Sequence, residues 1–253
     1  MNVAYNSDCL AAMKDMPDNA FDLAVVDPPY GNGLPDNANG GGYWERFGGR
    51  FDKYRPENGK SGGGGTASTS TAMEQIRWMV RQVQRTGGGW SNVYDSTKKI
   101  IAWDTAPGAE YFEQLFRVSR NQIIWGGNYF ELPKTRCFLV WRKTNVPENF
   151  SMAMAEYAWT SFNKNAKVFD FSAVGQIGRF HPTQKPVELY AWAYKLFAEP
   201  GMKILDTHLG SGSSRIAAYD AGLDFVGYEI DKEYFEKQEA RFAEHTAQLS
   251  LFV

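Results

Sequence analysis

The stretch FDLAVV-DPPY at residues 21–30 constrains this chain more than any other. Its first six residues are mainly apolar and partly β-branched, which suits a buried strand. The strand must stop at Pro28, because proline lacks the N–H that a central ladder requires. Elsewhere the apolar pattern switches repeatedly between short runs and helical periodicity. Strands are predicted at 100–103, 122–125, 137–141, 203–205 and 224–228, with 156–162 as the antiparallel neighbour of 137–141. Helices are predicted at 73–84, about 109–118, 186–197, from Gly212 to Ala221, and from Asp231 to about Thr246. Such alternation argues for an α/β fold with a mainly parallel, doubly wound sheet. We read 1–253 as a single domain carrying a glycine-rich insertion at 31–99 and a short tail at 247–253.

Composition excludes several classes. The 253 residues suffice for a sizeable core, and 43% hydrophobic with 22% charged residues is ordinary for a globular protein. No run of 18 apolar residues suggests a membrane span, and residues 1–10 lack the basic flank of a secretory signal. Cys9 and Cys137 form neither a metal spacing nor a disulfide framework, which fits a reducing cytoplasm. His181, His208 and His245 are too scattered for zinc, so no metal is expected. A net charge of −2 counts mildly against a nucleic-acid partner, which would therefore have to meet a local basic region.

Two motifs carry chemistry. In Asp206-Thr-His-Leu-Gly-Ser-Gly212, a predicted strand passes into a predicted helix, and Gly210 and Gly212 permit a tight turn with close backbone approach to a ligand. Glu229 ends the next strand, where an acidic residue can hold ribose hydroxyls. The usual third glycine is replaced near Ser214 and Arg215, which disfavours a pyrophosphate. An adenosine ligand without phosphate fits better, and S-adenosyl-L-methionine is one. Taken alone, such a turn is often purely structural. The second motif is Asp27-Pro28-Pro29-Tyr30. An aromatic amine is a poor nucleophile because its lone pair is delocalised. Acceptors on its two N–H bonds, from the Asp27 carboxylate and the Pro28 carbonyl, would free that lone pair, while Tyr30 stacks on a base flipped from its duplex. The bland alternative is a rigid turn after a strand.

These motifs, in this order, resemble the beta class of amino-methyltransferases acting on DNA, in which D-P-P-Y precedes the cofactor glycine motif. The resemblance implies a Rossmann-like S-adenosylmethionine-dependent methyltransferase fold: a seven-stranded, mainly parallel sheet with its last strand antiparallel. It implies cofactor contacts at Asp8 and Cys9 beside the adenine ring, at Thr183 and Lys185 of His181-Pro-Thr-Gln-Lys-Pro186 near the methionine end, and at Asp27, Asp206, Gly210, Gly212 and Glu229. Aspartate in the catalytic motif is the form favoured by adenine-N6 enzymes; cytosine-N4 enzymes more often carry serine. The implied activity is methylation of adenine N6 by a bacterial or phage-encoded cytoplasmic enzyme. The alternatives are cytosine N4, RNA or a protein glutamine as acceptor, and a non-catalytic DNA-binding protein tethered to the sliding clamp.

The family's target-recognition stretch is short here, 163–180, and this directs attention to the insertion. Trp44, Arg46, Arg50, Lys53 and Arg55 interleave aromatic and basic groups suited to base stacking and phosphate contact. Arg77 and Arg81 recur on one face of the predicted 73–84 helix. The tail Gln248-Leu249-Ser250-Leu251-Phe252 resembles the peptide by which bacterial proteins dock, extended, on the polymerase sliding clamp; the competing reading is a frayed helix end. Dimers occur among family members, so a homodimer is a further expectation.

Overall fold

The computed structural model describes residues 1–31, 104–146, 153–172 and 179–249. The chain divides into two units. The larger comprises Met1–Pro28, Pro107–Glu148 and Ala153–Val253, and the smaller Pro29–Ala106 with Asn149–Met152.

In the larger unit the described elements are β1 (Asn2–Tyr5), α1 (Cys9–Lys14), β2 (Phe21–Val26), α2 (Ala109–Val118), β3 (Ser119–Trp125), β4 (Phe138–Lys143), β5 (Ala155–Thr160), β6 (Lys167–Phe171), α3 (Val187–Phe197), β7 (Lys203–Asp206), α4 (Ser213–Asp220), β8 (Asp224–Tyr228) and α5 (Lys232–Leu249). The strands form one sheet in the order β1-β8-β7-β2-β3-β5-β4-β6. Its pairings are parallel except where β5 runs against β3 and β4.

The sheet is buried on both faces at its centre, and the alternation of side chains assigns each residue to a layer. Leu23, Val25, Ile123, Trp125 and Ile204 point into one core, covered by Leu189, Ala193, Tyr194 and Phe197 of α3 and by Ala217 and Ala218 of α4. Ala24, Val26, Ile124 and Leu205 point the other way, onto Met13 of α1 and onto Tyr111, Leu115 and Val118 of α2. This accounts for the near-continuous apolar run at 21–26: a strand covered on both sides has no face left for polar residues.

The expectation of a mainly parallel sheet holds, and 156–162 is indeed the antiparallel neighbour of β4. The sheet departs from the expected seven strands with the last antiparallel. Eight strands are described; the antiparallel one is β5, set between β3 and β4, while β8, the last described strand in chain order, is parallel. The additional strand, β6, falls in the short 163–180 stretch. There KVFDF turns Phe169 and Phe171 inward, with Phe169 stacked on Trp192, and leaves Val168 and Asp170 outward at the edge. The final helix also runs further than expected, through Leu249. The first two residues of the tail motif are therefore helical, and an extended docking peptide would require the last turn to unwind. Residues 250–253 lie outside the described residues, as do the expected helix at 73–84 and strand at 100–103.

Within the smaller unit, the Gly31 amide donates to Asp104 Oδ1 at 3.0 Å, and the Gly31 backbone lies directly against Ala106. Gly31 and Asp104, which flank residues 32–103 in the sequence, are thus adjacent in space.

The layer assignment has a direct consequence. Ile123 is fully buried in the α3-facing core, whereas Val168 is 59% exposed on the edge strand. Ile123→Ala is expected to destabilise by about 2–5 kcal/mol and Val168→Ala by no more than about 0.5 kcal/mol. Urea denaturation of the two variants checks this, and equal midpoints would overturn the assignment.

Candidate functional site

Strands β7 and β2 are neighbours, yet the chain continues from β7 to β8 on one side and from β2 to β3 on the other. Their carboxyl ends therefore flank a topological switch point, the place where open α/β sheets bind ligands. Asp206 is the last residue of β7, Asp27 directly follows β2, and Glu229 directly follows β8. Three strand ends thus deliver three carboxylates to one side of the sheet.

Asp206 is 2% exposed. Burial pushes its carboxyl up to about 7, the Asp27 and Glu229 carboxylates add to the effect, and hydrogen bonds from Ser214 Oγ and His208 N–H offset part of it. Burial likewise raises the Glu229 carboxyl. Glu229 Oε2 accepts the Gly210 amide at 2.8 Å and its Oε1 accepts the Asp231 amide at 2.9 Å, so this carboxylate shapes the glycine turn.

Gly210 (φ +52°) and Gly212 (φ +75°) hold left-handed backbone conformations that other residues adopt only with strain. A side chain at Gly210 would press on the His181 ring at 3.4 Å, and one at Gly212 would meet Gln238 at 3.1 Å. The turn is gripped from behind by α5: Arg241 Nη1 donates to the Ser211 carbonyl at 2.8 Å and to Ser213 Oγ at 3.0 Å. On the other side, Tyr111 OH lies 2.6 Å from Thr207 Oγ1, which is 2.9 Å from His208 Nδ1. Burial pushes the His208 imidazole down to about 4, which keeps it neutral at physiological pH.

The remaining residues singled out from sequence occupy distinct places. Asp8 caps α1, its Oδ1 accepting the Leu10 and Ala11 amides at 2.7 and 3.1 Å. Burial, and then Asp8, push the Cys9 thiol up to about 12, and Cys9 lies within electrostatic reach of Asp206. Thr183 Oγ1 is 3.2 Å from His181 Nδ1, which ties the 181–186 motif to the ring above Gly210. The Lys185 ammonium bonds to Asp27 Oδ2 and lies 3.1 Å from Glu156 Oε2. Asp27 and Pro28 end the first segment of the larger unit, and Pro29 and Tyr30 begin the first segment of the smaller one. Trp44, Arg46, Arg50, Lys53, Arg55, Arg77 and Arg81 lie outside the described residues.

The family model for N6/N4-type DNA methylases matches residues 21–240. The chain belongs to this DNA methylase family. The Type II methyltransferase M.HpaI of Haemophilus parainfluenzae is 24% identical to this methylase over 244 residues, covering 93% of this chain and 72% of that protein. Among solved structures, the PvuII DNA methyltransferase (cytosine-N4-specific) superposes with a TM-score of 0.54 at 10% identity, covering 96% of this chain and 86% of that one. It shares the fold. The M1.HpyAVI complex with S-adenosylmethionine gives a TM-score of 0.49 at 17% identity over 95% of this chain and 98% of that one.

The methylase's own donor set fits S-adenosylmethionine. Asp206 and Glu229, with Asp27 beside them, present carboxyl acceptors at the strand ends, which suits a ligand with an ammonium, a sulfonium and ribose hydroxyls better than one with phosphates. Among the described residues, no group of His, Cys, Asp and Glu is arranged to hold a metal ion, and no helix is long and apolar enough to cross a membrane. A separate cavity, lined by Tyr194, Lys195, Glu199, Ala217, Asp220 and Leu223, lies beside the segments that lead into β7 and β8, at the other end of those strands.

Sequence reasoning missed Glu156 and Lys143. They lie on opposite sides of the β4–β5 pairing, in which Trp141 faces Glu156. Only that register puts the two side chains diagonally on one face.

The Asp206 carboxyl makes stability depend on pH. In the unfolded chain it titrates near its ordinary 3.8. Between about pH 4 and 7 the unfolded state sheds a proton that the folded state keeps, so this group reduces stability as pH rises through that window. Asp206→Asn does not titrate. Relative to wild type, its melting temperature is expected to rise progressively from pH 4 to pH 8. A difference that stays constant over that range would remove Asp206 as the source.

Proposed function

We propose that this DNA methylase transfers a methyl group from S-adenosylmethionine to N6 of an adenine flipped out of duplex DNA. The observation that carries this reading is the adjacency of the Asp27 strand end to the Asp206 strand end at the switch point: a group suited to an amine stands beside a site suited to the cofactor. When bound, S-adenosylmethionine supplies a methyl group on a cationic sulfur. Asp206, Glu229, Gly210 and Gly212 hold it, with Asp8, Cys9 and Thr183 lining its approach. Asp27 and the Pro28 carbonyl accept the two N–H bonds of the target amine, and Tyr30 stacks on the base. With the cofactor bound, Asp27 and the Pro28 carbonyl would orient the amine lone pair toward its methyl group, and Asp27 or water would take up the amine proton released after transfer. Holding donor and acceptor in line accounts for much of the rate.

Aspartate at position 27 favours adenine. Cytosine N4 is the second reading, favoured by the fold shared with the PvuII enzyme. Digesting methylated DNA to nucleosides separates the two: N6-methyladenine is the expected product, and N4-methylcytosine in its place would overturn the adenine assignment.

Asp27→Ala is expected to slow methyl transfer by at least about 100-fold, with cofactor affinity, measured by calorimetry, staying within a few-fold. Near-normal turnover would remove Asp27 from the reaction.

The insertion supplies the DNA contacts, through Arg46, Arg50, Lys53 and Arg55 on phosphates, Trp44 beside the flipped base, and Arg77 and Arg81 further along the duplex. Replacing Arg46, Arg50, Lys53 and Arg55 by alanine is expected to weaken DNA binding and flatten its salt dependence, because fewer counterions are released. Parallel log–log salt slopes for the variant and wild type would move DNA recognition to 163–180.

A further inference from the structure

Four buried charges of alternating sign run from the sheet to Asp27. Lys143 Nζ, at the end of β4, lies 2.6 Å from Glu156 Oε1 on β5. Glu156 Oε2 lies 3.1 Å from Lys185 Nζ, and Lys185 Nζ bonds to Asp27 Oδ2. The lysine side chains are 8% and 4% exposed and those of Glu156 and Asp27 are 22% and 14% exposed. Within this row each cation meets an anion, and Arg179 lies within electrostatic reach of Glu156 as a further cation. The function proposed above makes no use of Glu156 or Lys143, and a structural role alone would not call for charges: a buried ion pair rarely stabilises more than the apolar groups that could replace it.

We infer that Lys185, held by Glu156 and Lys143, is a positioning residue that fixes the Asp27 carboxylate for the target amine. This rests on the assignment of Asp27 made above. The Lys185 ammonium is anchored from behind by Glu156, so Asp27 Oδ2 is fixed to a group that cannot swing away. Burial would lower the basicity of the Lys185 amine, but Asp27 and Glu156 hold it above its ordinary value, so it stays charged. Burial would raise the Glu156 carboxyl, but Lys185 and Lys143 bring it down to about 2, so it stays ionised. Charge balance matters to the reaction as well as to folding. Positive charge grows on the amine nitrogen as the methyl group arrives, and an uncompensated buried cation nearby would oppose it. Lys143 cancels Glu156, and Lys185 cancels Asp27. Lys185 thus acts on the carboxylate rather than on the cofactor.

The test uses full-length enzyme and unmodified duplex DNA, with single-turnover rate and S-adenosylmethionine affinity measured separately. Lys185→Met is expected to lower the rate at least about tenfold while the cofactor dissociation constant stays within about threefold. Glu156→Gln is expected to lower the rate as well, because it strands a cation. The Lys143→Met/Glu156→Gln double variant restores neutrality and is expected to recover most of that loss. A packing role would make the double variant worse than either single change. Three results would overturn the inference: a wild-type rate in Lys185→Met, a loss of cofactor affinity equal to the loss of rate, or additive losses in the double variant. If wild type transfers no methyl group to DNA, or Asp27→Ala stays active, the functional reading itself fails; an inactive Asp27→Ala beside a fully active Lys185→Met refutes the positioning role alone.

Discussion

Parallel strands that end side by side at a switch point bring whatever follows them into close quarters, and here they bring carboxylates. Asp27, Asp206 and Glu229 follow from three neighbouring strand ends into a region where burial penalises charge. Much of the surrounding structure answers that constraint. Asp27 has the Lys185 ammonium. Glu229 has two backbone amides, and accepting them bends the glycine turn into its working shape. Asp206 has a hydroxyl and one amide, and they compensate it least: its carboxyl titrates near neutrality. A carboxylate left so incompletely compensated is a standing attraction for a cationic ligand, which connects the electrostatics of the bare fold to the cofactor it takes.

The glycine turn depends on the same arrangement. Its shape is imposed from three sides: by Glu229 through the Gly210 amide, by Arg241 through the Ser211 carbonyl, and by the His181 ring packed over Gly210. His181 belongs to the segment that also carries Lys185, so the residues just ahead of α3 contact both the glycine turn and the carboxylate at Asp27. Two sites that lie far apart in the chain are thereby coupled through five residues.

Much of the fold was legible because its central elements are buried on both faces and punctuated by proline or glycine. Residues 21–26, 109–118 and 224–228 match β2, α2 and β8 to the residue. The elements that escaped notice were short or at the margin. NVAY in β1 and KVFDF in β6 occupy the two edges of the sheet, where half-exposure blurs the pattern that reveals a central strand. The site divides in the same way. Residues in contiguous motifs could be named, because a turn or a strand end has a local signature. Glu156 and Lys143 could not, because their proximity depends on cross-strand register. Nothing in AEYAWT or FLVWRK distinguishes a buried, paired charge from a solvated one.

That register bears on the identity of residue 27. Lys185 is already committed between two carboxylates, and its ammonium is almost wholly buried. If position 27 were serine, Lys185 would lose one of the two carboxylates it lies against and keep Glu156, so burying its ammonium would cost more. Serine there would therefore favour the loss of Lys185 or the addition of an anion elsewhere. Asp27 and Lys185 are therefore energetically coupled, and so are Glu156 and Lys143 behind them. The aspartate at position 27 is thus bound up with a buried lysine 158 residues away, and through that lysine a change of side chain at position 27 would be felt by the charges on β4 and β5.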